Sequence, residues 1–559
     1  MSDLWDAPTL WRALKDTAIL EPGLPCLSIP SREERDYHRE GLLWSYGDVA
    51  ERVDGLIDHY SAKGYGHGHR VSLLLENRPE FMLHFLALNA LGCWVIPLNP
   101  DFRQDDLAHI MGHSDVDLVV TLGNHTSNLE AARDSLGRST PIIDVGTFEV
   151  ALSTAARLGR NVLPGRESEA VLMYTSGTTG MPKGCIISNE YFFFAAERYL
   201  GAGGTMAMRI GEERLYNPLP LFYANGLAIA NPAIILSRNC MIFPDRFHVS
   251  SWWRDLVETE ATMVHYLGII PPVLLARAVA PEERQHKVRF GVGAGVDPGQ
   301  RIAFEERFGI TLVEIYGMSE IGICSFDIGT ERDGETRSVG RDMPGLDYQL
   351  VDDDGAVVAP GEPGELWVKR QGPEPRSGLL KEYFLDPKTT SDVWHGDWFR
   401  TGDLLKETPA GLVFVDRKKD MVRRSGQNIS SGEVEATLRA HPAVSDVAVI
   451  PVADELRDEE VYACIVLVSE YAENPELADT LVRFCLERLA YFKVPGWVAF
   501  LPDIPTTYSQ KLRKSAIFGE DDPRVYPTAV DLRTIKQTRG KAPPAASPLS
   551  PSIGYDPRS

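Results

Sequence analysis

Tyr174-Thr175-Ser176-Gly177-Thr178-Thr179-Gly180-Met181-Pro182-Lys183-Gly184 is the stretch on which the reading of this chain turns. It follows a short apolar run, Ala170 to Met173, and combines hydroxyl side chains with three glycines and one lysine. Glycines let backbone N–H groups turn toward an anion, hydroxyls add donors, and the lysine adds a fixed positive charge. The pattern predicts a phosphate cradle. It is not the Walker arrangement: Gly177, Gly180 and Lys183 lie three apart, and Gly184 stands where a metal-binding hydroxyl would follow the lysine.

On either side of this stretch, helical and strand patterns alternate. Residues 46–63 read as a helix, 70–75 as a strand, 79–91 as a helix and 94–98 as extended, and the alternation resumes from 184 to 307. That grammar predicts α/β layers around largely parallel sheets. Residues 350–368 change character, with short apolar runs broken by Asp353-Asp354-Gly355 and Pro360-Gly361-Glu362-Pro363-Gly364, which predicts a small β-rich subdomain. A boundary is expected near 416–420. Beyond it, a helix (433–440), two strands (444–449 and 461–468) and another helix (475–489) form a separate pattern. The expected organisation is a large α/β N-terminal domain (1–416), a small mobile α+β C-terminal domain (417–520) and a disordered, proline-rich tail (521–559).

A chain of 559 residues is too long for one core. Its formal net charge of −22 argues against nucleic acid or an anionic membrane surface as a general partner. Seven cysteines, scattered without close pairs, give neither a disulfide framework nor a zinc spacing. The acidic start, Met-Ser-Asp-Leu-Trp-Asp, lacks the basic and apolar regions of a signal peptide, and no segment reads as a membrane span. A cytoplasmic setting follows as the expectation, with a homodimer as the candidate assembly.

The phosphate stretch resembles the signature of adenylate-forming enzymes: acyl-CoA synthetases, adenylation domains of peptide synthetases, and luciferases. Further blocks of that family occur in order: Tyr316-Gly317-Met318-Ser319-Glu320, with Ser in place of Thr, then Gly364-Glu365-Leu366 and Trp398-Phe399-Arg400-Thr401-Gly402-Asp403. Asp416-Arg417-Lys418-Lys419-Asp420 then leads through Gly426-Gln427-Asn428-Ile429, and Lys511 stands in the place of the family's catalytic lysine, although its setting is Ser509-Gln510-Lys511 rather than Ser-Gly-Lys. The resemblance covers roughly residues 40–520. Around 264–278 and 416–429 it is similar to carnitine- and crotonobetaine-type CoA ligases.

The resemblance implies ATP, Mg2+ and coenzyme A as cofactors and a small carboxylic acid as substrate. Thr175, Ser176, Gly177, Thr178, Thr179, Gly180 and Lys183 would hold the β- and γ-phosphates, where charge must be met by donors and a cation. Glu320, helped by Thr175, would ligate magnesium, since hard cations prefer carboxylate oxygen. Gly293, Ala294 and Gly295 would give the nucleotide bare backbone to lie against. Glu314, Ile315, Tyr316, Gly317, Met318 and Ser319 belong to the same nucleotide-binding set, with Tyr316 stacking on adenine. Asp403 would accept from the ribose hydroxyls, with Arg417 adding a second contact. Lys511, with Lys514 as competitor, would reach the carboxylate and the α-phosphate in the first step. Lys419 is the implied hinge, and Arg424, Ser425 and Gly426 the implied coenzyme A channel, with Arg423 a further phosphate contact.

The acid pocket is expected beside 219–226, lined by Tyr223, Asn225, His265, Gly268, Gly295, Ser319 and Cys324. Many relatives carry His where Tyr223 stands. A satisfied core histidine is an equal reading of His265. These residue types suit a small or medium polar or aromatic acid. The implied reaction is an ATP-dependent acid–CoA ligation through an acyl-adenylate; the alternative is a stand-alone enzyme loading a carrier-protein phosphopantetheine thiol. A non-catalytic binding protein would bind ATP without forming AMP, and a luciferase-like oxygenase would consume oxygen.

Overall fold

The computed structural model describes residues 4–175, 182–328, 338–341, 343–425, 427–455, 457–506, 512–519 and 521–537. The expected site residues Ser176, Gly177, Thr178, Thr179, Gly180, Gly426 and Lys511 therefore lie outside the described residues.

Local signals set the first elements. Ser45 caps the helix Tyr46–Ala62 through a reciprocal box: its side chain accepts from the Asp48 N–H while the Asp48 carboxylate accepts from the Ser45 N–H. Pro79 opens the helix Pro79–Leu91, and Gly92, at φ 70°, closes it in the left-handed region. That helix is buried almost all round, as an apolar helix between layers must be. Two sheets form the bulk of the first compact unit, which runs from Met1 to Val415. One has six strands in the order Ile142–Asp144, Leu118–Thr121, Arg70–Leu74, Trp94–Pro97, Glu169–Thr175, Lys183–Ser188. It is parallel except for the last pair. The other has eight strands and includes the parallel run Met263–Leu267, Phe290–Ala294, Thr311–Met318, closed by the antiparallel Gly322–Phe326.

The expected β-rich subdomain is a five-stranded sheet. Leu346–Val351 pairs antiparallel with Gly364–Arg370, which pairs with Trp398–Thr408. This mixed α/β architecture agrees with the sequence expectation.

The second unit begins at Asp416. Its six-stranded sheet is built on the long hairpin Val444–Asp454/Asp458–Leu467 and extended by Trp497–Phe500. Val449, Ile465, Val482 and Phe500 fill its core. Asp416 accepts from the N–H and hydroxyl of Ser431, which ties the first residue of this unit to the start of the helix Ser431–Arg439.

Two expectations change here. Residues 521–537 are not all tail: Val530–Asp531 pairs with Trp497–Phe500, Leu532 enters the core, and the helix Arg533–Gln537 follows. The signal was hidden because one short strand and one helical turn show no periodicity. Arg424, expected to face coenzyme A, is buried instead, and its Nε donates to Glu460 at 2.9 Å. Lys536 pairs with the same carboxylate, and burial pushes its pKa down to about 8. A fully buried anion between two buried cations depends on both. Glu460→Ala leaves two buried cations without a counter-charge and should cost ~3–5 kcal/mol in chemical denaturation of the second unit; a loss below 1 kcal/mol would contradict the pairing.

Candidate active site

Strand pairing brings the ends of the phosphate stretch together. Thr175 ends one strand, Lys183 begins the next, and the two residues are paired across the ladder. Lys183 lies over the Tyr383 ring, 5.7 Å from its centroid, and its ammonium donates to Thr389 Oγ1 at 3.3 Å. Tyr383 then donates its hydroxyl to Glu320 Oε1 at 2.9 Å. Glu320 sits in the turn between Thr311–Met318 and Gly322–Phe326 and is buried. Cys185 lies between Glu320 and Thr175, with its Sγ 3.8 Å from Glu320 Oε1 and 3.9 Å from Thr175 Oγ1.

One tyrosine therefore holds a cation and an anion apart. Among the described residues no carboxylate forms an ion pair with Lys183, and no lysine or arginine pairs with Glu320. Burial raises the Glu320 carboxyl above its ordinary value, and the nearby Asp403 charge adds to the rise. A buried carboxylate without a cation is a fitting donor for a hard divalent ion. Among the described residues no group of three or more His, Cys, Asp or Glu could hold a metal ion.

Tyr316 and Asp403 come from strands 87 residues apart in sequence, and the tyrosine hydroxyl donates to Asp403 Oδ2 at 2.8 Å. Asp403 lies within the strand Trp398–Thr408 just after Gly402, whose φ is 71°. A carboxylate has two oxygens and can accept several hydrogen bonds.

A backbone platform lies at the ends of the neighbouring parallel strands. A Cβ on Gly268 would sit 2.2 Å from the Gly295 carbonyl oxygen, and one on Gly293 would sit 2.3 Å from the Tyr266 carbonyl oxygen. Only glycine permits that approach. Ala294 and Gly295 are exposed. Glu314 is placed beneath this platform: it accepts from Tyr266 OH at 2.6 Å and from the Gly295 N–H at 2.8 Å. Burial pushes its pKa up to about 7. Its role here is to fix the Gly295 turn.

On the acid side the structure separates the candidates. Tyr223, Asn225, Gly268 and Ser319 are half-buried, and Tyr223 OH accepts from Asn99 Nδ2 at 3.4 Å. His265 lies on the strand Met263–Leu267. It is fully buried, with Nε2 2.9 Å from Tyr199 OH and Nδ1 3.1 Å from Asn225 Oδ1. Burial drives its pKa down to about 3, so it stays neutral and orients Asn225. Cys324 is likewise fully buried, with its thiol pushed up to about 12. Both corrections have one cause: period-two strand patterning does not say how deep a strand lies.

In the second unit, Lys514 is not a free competitor for catalysis. Its ammonium pairs with Glu435 at 2.8 Å and donates to Ser431 Oγ. Lys419 is exposed in the turn after Gly411–Arg417, where the Asp420 N–H donates to the Arg417 carbonyl. Sequence reading missed Tyr383, Asn99 and Tyr199, each of which contacts a candidate residue from a distant stretch without any local motif, and Cys185, which directly follows the phosphate stretch and reaches Glu320.

The family model for AMP-binding enzymes matches residues 30–384, and that for the AMP-binding enzyme C-terminal domain matches 433–511. This chain belongs to the AMP-binding enzyme family. Among AMP-binding enzymes it is similar to the crotonobetaine/carnitine–CoA ligase of Proteus mirabilis strain HI4320, 30% identical over 499 residues that cover 84% of this chain and 92% of that one. The corresponding ligase of Salmonella typhimurium strain LT2 is 28% identical, with 85% and 93% covered. The fold of this AMP-binding enzyme is also that of ATP-bound MatB from Rhodopseudomonas palustris (TM-score 0.76, 23% identity, 91% and 98% covered). Bacillus subtilis o-succinylbenzoate CoA synthetase with its acyl-adenylate is equally similar (TM-score 0.76, 23% identity, 92% and 99% covered). By class the chain is an AMP-forming acid–thiol ligase. Among the described residues no helix is long and apolar enough to cross a membrane.

Proposed function

We propose that this AMP-binding enzyme joins a small or medium, polar or aromatic carboxylic acid to coenzyme A in two steps. A carboxylate oxygen of the acid attacks the α-phosphorus of ATP; the bond from that phosphorus to the bridging oxygen breaks, and pyrophosphate leaves. The coenzyme A sulfur then attacks the acyl carbon, the carbon–oxygen bond to AMP breaks, and the thiol proton passes to solvent. The observation that carries this reading is the Lys183–Tyr383–Glu320 arrangement, which keeps an ammonium and a buried carboxylate from neutralising each other.

In the first step two anions must meet, so fixed charge on the phosphates is the main requirement. Lys183 supplies that charge, and Thr175 an adjacent hydroxyl. Asp403, oriented by Tyr316, accepts from the ribose. The Gly268–Gly295 platform lets the nucleotide lie against backbone. Magnesium on Glu320 would offset the phosphate charge as it builds on the leaving group. Lys511 brings a point charge to the reacting oxygens. Lys419 would serve as the hinge between the two steps.

The half-buried Tyr223, Asn225 and Ser319 favour a substrate with polar or aromatic character over a long alkyl chain. Crotonobetaine and carnitine, the acids in the relatives' names, head the panel to be tested. AMP and pyrophosphate release with ATP, magnesium and coenzyme A across short betaines, dicarboxylates, benzoates and fatty acids tests the reading. AMP release that needs both acid and coenzyme A is the expected result. Pyrophosphate exchange with no coenzyme A consumed in the full reaction would overturn the acceptor, and a preference for long fatty acids would overturn the substrate class.

A further inference from the structure

A cavity of about 240 Å³ opens beside Lys183, lined by His109, His113, Pro182, Tyr383 and Asp386 among others. Its two histidines lie one turn apart on the helix Gln104–Ser114 and stack with ring centroids 5.6 Å apart and planes 16° apart. Each contacts a different end of the phosphate stretch. His113 Nδ1 is hydrogen-bonded to Tyr174 OH at 2.8 Å, next to Thr175. His109 Nε2 lies 3.4 Å from the carbonyl oxygen of Pro182, next to Lys183. A carbonyl only accepts, so His109 carries its proton on Nε2. Phe384 packs edge-on against His113, with ring centroids 5.4 Å apart.

We propose that His109 and His113 are positioning residues for ATP: one helical turn holds both ends of the phosphate stretch and so fixes where the Lys183 ammonium meets the phosphates. The proposal rests on the reading of Lys183 as a phosphate contact. Spacing of i and i+4 puts two side chains on one face of a helix about one turn apart. The antiparallel ladder places Thr175 opposite Lys183. The two geometries match, so a single rigid element sets the separation and the twist of the strand ends. Catalytic groups need such support, since a small misplacement of a charge costs much of its effect. Neither histidine falls in any family block of the sequence, and nothing about a His-x-x-x-His pair at this distance from the motif points to ATP.

The test is a pair of double variants, His109→Leu/His113→Leu and His109→Gln/His113→Asn. The first removes both hydrogen bonds. The second restores a polar atom near each ring nitrogen that bonds, Nε2 of His109 and Nδ1 of His113. The leucine variant should raise the KM for ATP roughly tenfold or more, as the loss of two ordinary hydrogen bonds implies, with the KM for the acid nearly unchanged. The amide variant should return most of the affinity. Equal impairment in both variants, or an unchanged KM for ATP, overturns the clasp. Should the leucine pair fail to fold, His109→Leu alone against His109→Gln makes the same comparison. Lys183→Ala is assayed beside them. If it too leaves the KM for ATP unchanged, the functional reading of Lys183 has failed. If it raises that KM and the leucine pair does not, only the clasp has.

Discussion

Lys511→Ala should slow acyl-adenylate formation by about 10²–10³-fold, the loss expected when one preorganised charge is taken from a developing oxyanion. The same variant, given preformed acyl-adenylate and coenzyme A, should make thioester at close to the native rate, because the charge serves only the first step. The structure supplies the control. Lys514, three residues on, is held by Glu435 and Ser431 within the second unit. Lys514→Ala should therefore lower the melting temperature and leave the adenylation rate within about threefold, since breaking a largely buried pair acts on stability. Pyrophosphate exchange, single-turnover thioester formation and thermal melts on the two variants decide the matter. A rate loss confined to Lys514→Ala would reverse the assignment.

Glu320→Gln is expected to separate activity from stability. Its oxygen can still accept from Tyr383, but it cannot bind a divalent cation as a carboxylate does, and adenylation should fall by about 10²-fold or more. Stability should move the other way. Burial raises the native carboxyl above its unfolded value, so the native state holds its proton more tightly than the unfolded chain does. The stabilisation from that proton is complete below the unfolded pKa and is lost as pH rises through the native one. Above that point the native enzyme carries a buried, unpaired anion in the absence of metal, and the glutamine variant does not. The variant should then melt higher at pH 7.5 without magnesium, and the gap should close toward pH 4. Native adenylation should decline as pH falls through the raised value, with saturating magnesium displacing that limb to lower pH. A variant that melts lower at pH 7.5, or a pH profile indifferent to magnesium, would refute this account of Glu320.

The framework of the molecule is legible in its sequence where structure is set locally. The Ser45–Asp48 box, Pro79 at a helix start and Gly92 at its end announce themselves within a few residues. The hairpin between Leu346–Val351 and Gly364–Arg370 is visible in its turn residues. The ordered blocks named Thr175, Lys183, Glu320, Tyr316 and Asp403, and the structure brings Thr175, Lys183 and Glu320 around Tyr383 and Cys185, with Tyr316 bonded to Asp403. What stayed hidden depends on depth and on distant partners. His265 and Cys324 belong to strand patterns that look the same whether a strand faces a pocket or a core. Tyr383 meets Glu320 across 63 residues, and Lys536 meets Glu460 across 76. Such pairs are made by folding and leave no spacing to read.

The last of these pairs has a practical side. The C-terminal family match ends at residue 511, yet Val530–Asp531 completes the sheet edge, Leu532 seals the core and Lys536 shares a buried carboxylate with Arg424. A chain cut where the family resemblance ends would expose an edge strand at Trp497–Phe500, the kind of surface that pairs with other copies and brings protein out of solution. Affinity handles and fusion partners belong after residue 537, and a trimmed version made for crystals should be trimmed no further than that.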